Sequence, residues 1–188
     1  MKSIEEKILK EGIVIGDDIL KVDSFVNHRI DTSFVLDVCK YFASEFNNID
    51  KVVTIETSGL AYAVVTAIEL GNVPVVFAKK SKSKIVDENN VYKALIKSFT
   101  RGTTTEVTID KRFLNKDERI LIVDDFLAEG NAAKGLIDLC EQAGAKVVGF
   151  ATVIDKAFQG GREYLESKNI KLVSGASIKR FENGKVIF

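Results

Sequence analysis

Apolar positions along this chain follow two alternating rhythms. "DTSFVLDVCKYFASEF" (31–46) carries Phe34, Val35, Val38, Phe42 and Phe46 at helical spacing, which predicts one long helix with a single buried face. "KVVTIET" (51–57) is an apolar run, "LAYAVVTAIELG" (60–71) a helical pattern closed by Gly71, and "PVVFAK" (74–79) a second apolar run. Short apolar runs separated by a helix read as strands covered on both faces, so this stretch predicts a βαβ unit. "RILIVDD" (119–125), "AAKGLIDLCEQAG" (132–144) and "KVVGFATVID" (146–155) repeat the arrangement. The expected fold is α/β, a parallel sheet flanked by helices in three layers.

The flanking segments are shorter. Ser3 and Glu6 have the spacing of a capping box for a first helix ending at Gly12. "IVIGDDILKV" (13–22) predicts a hairpin, and "RFENGKVIF" (180–188) a second one turning at Asn183-Gly184. Between the two βαβ units, residues 79–110 are polar and basic, with Thr and Val alternating near the end. That is too long for a plain connection, and a mobile lid on a β-ribbon stem is expected.

Composition narrows the function. The 188 residues, 46% of them hydrophobic, suffice for one sizeable core, so a single domain over 1–188 is expected. Lys+Arg and Asp+Glu both number 27; no global field favours nucleic acid or a membrane, and any anion site must be local. No run approaches the ~18 apolar residues of a membrane span, and "MKSIEEKILK" is amphipathic rather than signal-like. With Cys39 and Cys140 at apolar helical positions, as free thiols would be, the expected location is the cytoplasm.

The chemistry concentrates in "VDDFLAEGNAA" (123–133). Asp124 and Asp125 end an apolar strand, and Ala128, Glu129, Gly130, Asn131 and Ala132 lead into a helix. Ligands of open parallel sheets sit beyond the strands' carboxyl ends, and free amides at a helix start make a phosphate cradle. Two carboxylates beside an anion must face something neutral or cationic, such as sugar hydroxyls or a divalent metal. A phosphorylated sugar meets both demands. The motifs G-x-x-x-x-G-K-[ST] and G-x-G-x-x-G are absent, which counts against a nucleoside triphosphatase or dinucleotide enzyme. The letters alone leave open whether Ser58 and Gly59 of "ETSG" form a binding loop or a helix cap, and whether Lys79, Lys80, Lys82 and Lys84 are a solvated run.

Together "ILKVDSFVNHRID" (19–31), "ETSG" (56–59), the loop through Phe99 and Thr100, "VDDFLAEGNAA" and "VIDKAFQGGREYLE" (153–166) resemble the type I phosphoribosyltransferase family over essentially the whole chain, in the branch that takes xanthine. The resemblance implies transfer of the 5-phosphoribosyl group from phosphoribosyl diphosphate to a purine, with Mg²⁺ and in a homodimer, serving purine salvage. It implies a hood from about 1–30 and 156–188 and a lid over about 80–110. Asp124 and Asp125 would hold the ribose hydroxyls or metal, and the amides of residues 128–132 the 5-phosphate. No side chain is assigned as a dedicated metal ligand. Some relatives carry Thr or Lys where Asn131 and Ala132 stand, so backbone donors must do more here, with Glu129 turned outward. Ser58, Gly59, Lys79 and Lys82 would take the diphosphate. Leu20, Asn27, Lys156 and Phe158 would take the base, Lys156 donating to a 6-oxo group that adenine lacks; His28 is read as a bystander. Some relatives have an acid at position 128. Ala128 cannot act as a base, which leaves Glu106 of the lid or a purine whose proton has already shifted. The alternatives are another 6-oxopurine, guanine or hypoxanthine, and a non-catalytic sensor of phosphoribosyl diphosphate, which the zero net charge disfavours.

Overall fold

The computed structural model describes residues 1–80, 88–97 and 103–188. α1 (Lys2–Glu11) leads into the hairpin β1 (Ile13–Ile15) and β2 (Ile19–Lys21), and a wide helical turn over Asp23–Asn27 precedes α2 (Thr32–Ser44). The capping box does not form. Met1 caps α1 and Ser3 lies inside the helix, because burial of Ile4 and Ile8 sets the helix register. α2 starts where predicted, its Asp31 carboxylate accepting the Phe34 N–H at 3.2 Å.

The central sheet uses β3 (Lys51–Ile55), β4 (Val75–Ala78), β7 (Arg119–Leu127), β8 (Lys146–Lys156) and β9 (Lys171–Ile178), all parallel, in the order β4-β3-β7-β8-β9. α3 (Gly59–Glu69), α4 (Asn131–Gln142) and α5 (Gly161–Ser167) make the crossovers β3–β4, β7–β8 and β8–β9. Side chains alternate across the sheet: Leu121 and Val123 of β7 join a core with α1, α2 and α3, whereas Ile120 and Ile122 join a second core with α4. Burial on both faces explains the near-continuous apolar strands.

Two differences from the sequence reading stand out. β7 runs through both aspartates to Leu127, two residues past the predicted end. In the segment 156–188, expected in the hood, Lys171–Ile178 is instead the edge strand β9 of the central sheet. The terminal hairpin, β10 (Arg180–Glu182) and β11 (Lys185–Ile187), turns at Asn183 (φ 50°) and Gly184 (φ 71°), as Asn-Gly predicts.

The expected ribbon is present as antiparallel β5 (Val91–Lys97) and β6 (Thr104–Asp110). Lys79 and Thr108 exchange backbone hydrogen bonds at 3.0 Å, joining it to the end of β4. Ile96 packs on Gly135 of α4, where a Cβ would lie 2.4 Å from Ile96 Cγ1. At the opposite end of the sheet, Lys51 Nζ donates to both Glu118 oxygens (2.8 and 2.7 Å) and to the Phe113 carbonyl (2.7 Å).

Candidate active site

The chain leaves β3 toward β4 on one side and builds β7, β8 and β9 on the other, so the sheet reverses direction between β3 and β7. A crevice opens at such a reversal. Here it is a cavity of about 610 Å³ lined by the ends of β3, β7 and β8, the hood hairpin and the ribbon.

The carboxylates stand at its floor. Asp124 is 6% exposed, and its Oδ1 accepts the Asp125 N–H at 2.9 Å. Burial, reinforced by the Asp125 carboxylate, pushes the Asp124 carboxyl well above the usual carboxylate range. Asp125 is half-buried, accepting the Ser58 hydroxyl on Oδ2 at 2.6 Å and the Phe126 N–H on Oδ1 at 3.0 Å. Ser58 therefore ties the "ETSG" loop to Asp125 rather than capping α3, where no side-chain cap forms. Gly59 is required by proximity: a Cβ there would lie 2.7 Å from Asp124 Oδ1 and 2.8 Å from Thr54 Oγ1. Gly59→Ala is expected to destabilise by about 1–3 kcal/mol through overpacking, lowering the melting temperature and shifting Asp124. A melting scan checks this.

The cradle follows. Gly130 takes φ 76° as the N-cap of α4, a conformation that favours glycine, and the helix's first turn is closed by the Lys134 N–H donating to the Gly130 carbonyl at 2.8 Å. The amides of Asn131, Ala132 and Ala133 precede that bond, as helix geometry requires of first-turn donors, and these residues line the cavity. Glu129 is exposed, its Oε2 accepting from Asn131 Nδ2 at 2.9 Å.

On the side of the hood hairpin, Leu20, Asn27 and Lys156 reach the same cavity. Lys156 is 6% exposed, and its Nζ donates to the Asp18 carbonyl of the hood hairpin at 2.5 Å. Burial lowers its ammonium from the ordinary lysine value. It lies 5.9 Å from the centroid of the Phe126 ring.

Several expected residues stand elsewhere. Phe158 is 40% exposed and meets Phe181 edge-on (centroids 5.5 Å apart) outside the cavity lining; among the described residues, Phe126 is the aromatic ring that lines it. Lys79 is exposed over Phe77, while its neighbour Lys80 lines the cavity. Glu106 pairs with Leu95 across the ribbon, and the strand period of two presents Thr105 and Val107 to the cavity instead. Lys82, Lys84, Phe99 and Thr100 lie outside the described residues. Glu56 and Ile19, which sequence reasoning missed, also line the cavity; their signal was their position, beside "TSG" and Leu20.

Comparison with known proteins agrees with this geometry. Residues 34–184 match the phosphoribosyl transferase domain. Proteins named xanthine phosphoribosyltransferase from Oenococcus oeni and Streptococcus agalactiae are 48% and 50% identical over 190 aligned positions, covering all of this chain and 91% and 97% of theirs. An adenine phosphoribosyltransferase structure from Giardia lamblia superposes with TM-score 0.76 at 23% identity, covering 93% of this chain and 97% of that one. One from Rhodothermus marinus gives 0.73 at 21%, covering 95% and 100%. The chain belongs to the phosphoribosyltransferase family. Its fold is the type I fold of that family, and it is a transferase.

Proposed function

We propose that this enzyme transfers the 5-phosphoribosyl group from phosphoribosyl diphosphate to xanthine, giving xanthosine 5′-monophosphate and diphosphate in purine salvage. The carrying observation is that one cavity brings together the amides of the Gly130 loop, the Asp124–Asp125 pair and the buried Lys156. Relatives at about half identity over the whole chain bear the name of this activity.

In the reaction, a purine nitrogen forms its bond to the sugar's anomeric carbon as the carbon–oxygen bond to diphosphate breaks. The bonding pair leaves with diphosphate. The loop amides hold the 5-phosphate, and Asp125, pre-set by Ser58, accepts from the ribose hydroxyls and stabilises positive charge developing on the ring. Lys156 donates to the 6-oxo group, beside Phe126. With Glu106 turned from the cavity, the purine arrives with its proton already shifted off the attacking nitrogen, and the proton that the ring still carries passes to the departing diphosphate once the new bond forms. Excluding water protects the sugar cation.

Mg²⁺ would enter with the diphosphate. Among the described residues no cluster of three or more His, Cys, Asp or Glu is placed to hold a metal alone. Asp125 and Glu56 offer hard oxygen donors in the cavity, which suits an ion that binds through one or two carboxylates plus substrate phosphates. When bound, it neutralises the leaving charge. No helix among the described residues is long and apolar enough to cross a membrane. A cytoplasmic setting fits the two buried free thiols. A homodimer fits the exposed Leu36, Val64 and Ile68 on the packed helices α2 and α3.

The test is diphosphate release dependent on xanthine, compared with guanine and hypoxanthine; release without any purine preference for xanthine would reject the assignment. Lys156→Gln is expected to lower kcat/KM for xanthine about tenfold to a hundredfold, the value of a charged hydrogen bond, with a smaller change in KM for phosphoribosyl diphosphate. Steady-state kinetics on both substrates reads it.

A further inference from the structure

We propose that Arg162 is a positioning residue for phosphoribosyl diphosphate, locking the start of α5 against the phosphate loop and thereby aiming the loop's amides. The proposal rests on the function proposed above. Asp155, next to Lys156 in β8, is 0% exposed. Its Oδ2 accepts from Arg162 Nε at 3.0 Å, from Arg162 Nη2 and from Ser177 Oγ at 3.0 Å, and Arg162 Nη2 also donates to Ser177 Oγ at 3.0 Å. Its Oδ1 is buried without a hydrogen-bond partner among the described residues. A carboxylate this deep depends on such partners. Burial nevertheless holds its carboxyl above the ordinary value.

The pair closes residues 155–162 into a ring. Within the ring, the Ala157 N–H donates to the Ile178 carbonyl at 2.9 Å and the Gln159 N–H to the Lys156 carbonyl at 3.0 Å. At its far side the Gly161 N–H donates to the Ala128 carbonyl at 2.9 Å. That last bond reaches the phosphate loop. In a planar trans peptide the C=O and N–H point in opposite directions. Holding the Ala128 carbonyl toward α5 therefore turns the Glu129 N–H away from α5. Residues 128–133 line the cavity and no residue of α5 does, so the amide is turned to the ligand side. The packing leaves no slack: a Cβ at Gly161 would lie 2.5 Å from the Ala128 oxygen and 3.0 Å from the Gly130 nitrogen. Arg162 directly follows Gly161, and its guanidinium ties that contact to β8 and β9. Lys156, at the ring's other end, is seated by the same knot, so the base and phosphate ends share one support.

Arg162→Gln is expected to raise KM for phosphoribosyl diphosphate about tenfold to a hundredfold, as a displaced binding group does, while kcat at saturation changes far less. Calorimetry with ribose 5-phosphate as the probe should weaken in parallel. The Arg162 side chain is 33% exposed, so added guanidinium should restore affinity to Arg162→Ala, a rescue that a general loss of stability would not give. Gly161→Ala, which leaves the ion pair untouched, should raise the same KM. It carries the test if the Arg162 variants fail to fold. A folded Arg162→Gln with unchanged KM, or a folded Gly161→Ala with unchanged KM, overturns the proposal. Failure of the unaltered protein to bind phosphoribosyl diphosphate would overturn the function itself, and this proposal with it.

Discussion

Asp125→Asn is expected to lower kcat/KM about 10²–10³-fold, the loss found when a preorganised group facing developing charge is removed. Asparagine can still accept the Phe126 N–H on its single oxygen and donate its Nδ2–H to the Ser58 hydroxyl oxygen, replacing the contacts that fix Asp125 at 3.0 and 2.6 Å, so the fold should persist while the negative charge is gone. Asp124→Asn should behave differently. Burial holds the Asp124 carboxyl well above its ordinary value, so the folded state favours the uncharged form. The resulting stability is present at low pH and is lost as pH rises through the raised folded-state value. As pH rises above the unfolded-state value, keeping the Asp124 carboxyl buried costs the fold, a cost that asparagine does not carry. Asp124→Asn should therefore melt higher than the unaltered protein, by about 2–4 °C per kcal/mol relieved, while turnover falls. Steady-state rates with calorimetric melting at two pH values decide both points. Unchanged turnover in either variant would undo the assignment of the pair.

The second large effect is on stability alone. Lys51→Met is expected to destabilise the protein by about 3 kcal/mol, the lower end for breaking a buried ion pair, and to lower the melting temperature by about 6–12 °C. The Lys51 and Glu118 side chains are only 9% and 20% exposed. Removing the ammonium leaves the Phe113 carbonyl and half of Glu118's partners unmet. Burial raises the Glu118 carboxyl, but hydrogen bonds from Lys51 and Asn115 outweigh it and hold it below the ordinary value. That contribution is present above the unfolded-state value and is lost as pH falls through the lowered one. The gap between variant and unaltered protein should therefore narrow in acid. A melting temperature within 2 °C of the unaltered protein at neutral pH would reject this role.

Sequence reasoning reached the sheet and helices wherever the apolar rhythm was unbroken, as in β3, β7, β8, α2 and α4. It missed β9, because Ser174, Gly175 and Ser177 interrupt the apolar pattern of 171–178. The structure shows why they are there: a Cβ at Gly175 would lie 2.6 Å from Ile4 Cδ1 and 2.7 Å from the Val153 carbonyl, and Ser177 serves the Asp155–Arg162 pair. Periodicity cannot register a residue kept small for a neighbour distant in the chain. The cradle was legible because a glycine at a helix start after an apolar strand is a local signal. Phe126 was not, since a ring after two aspartates reads simply as more strand. Glu106 was misjudged for a register reason: one position along a strand reverses the face, and only the ribbon's pairing fixes which face that is.

The loops that follow β3, β7 and β8 leave the same edge of a parallel sheet, and the edge beneath it holds, beside the Lys51–Glu118 pair, turns such as Asp117 (φ 65°) and Gly144 (φ 73°), joined by the Asp117 N–H to the Gly144 carbonyl at 2.9 Å. That underside is the natural point of attachment for a fluorophore or a solid support. Immobilised there, the protein would present the mouth of the cavity outward with its lining undisturbed.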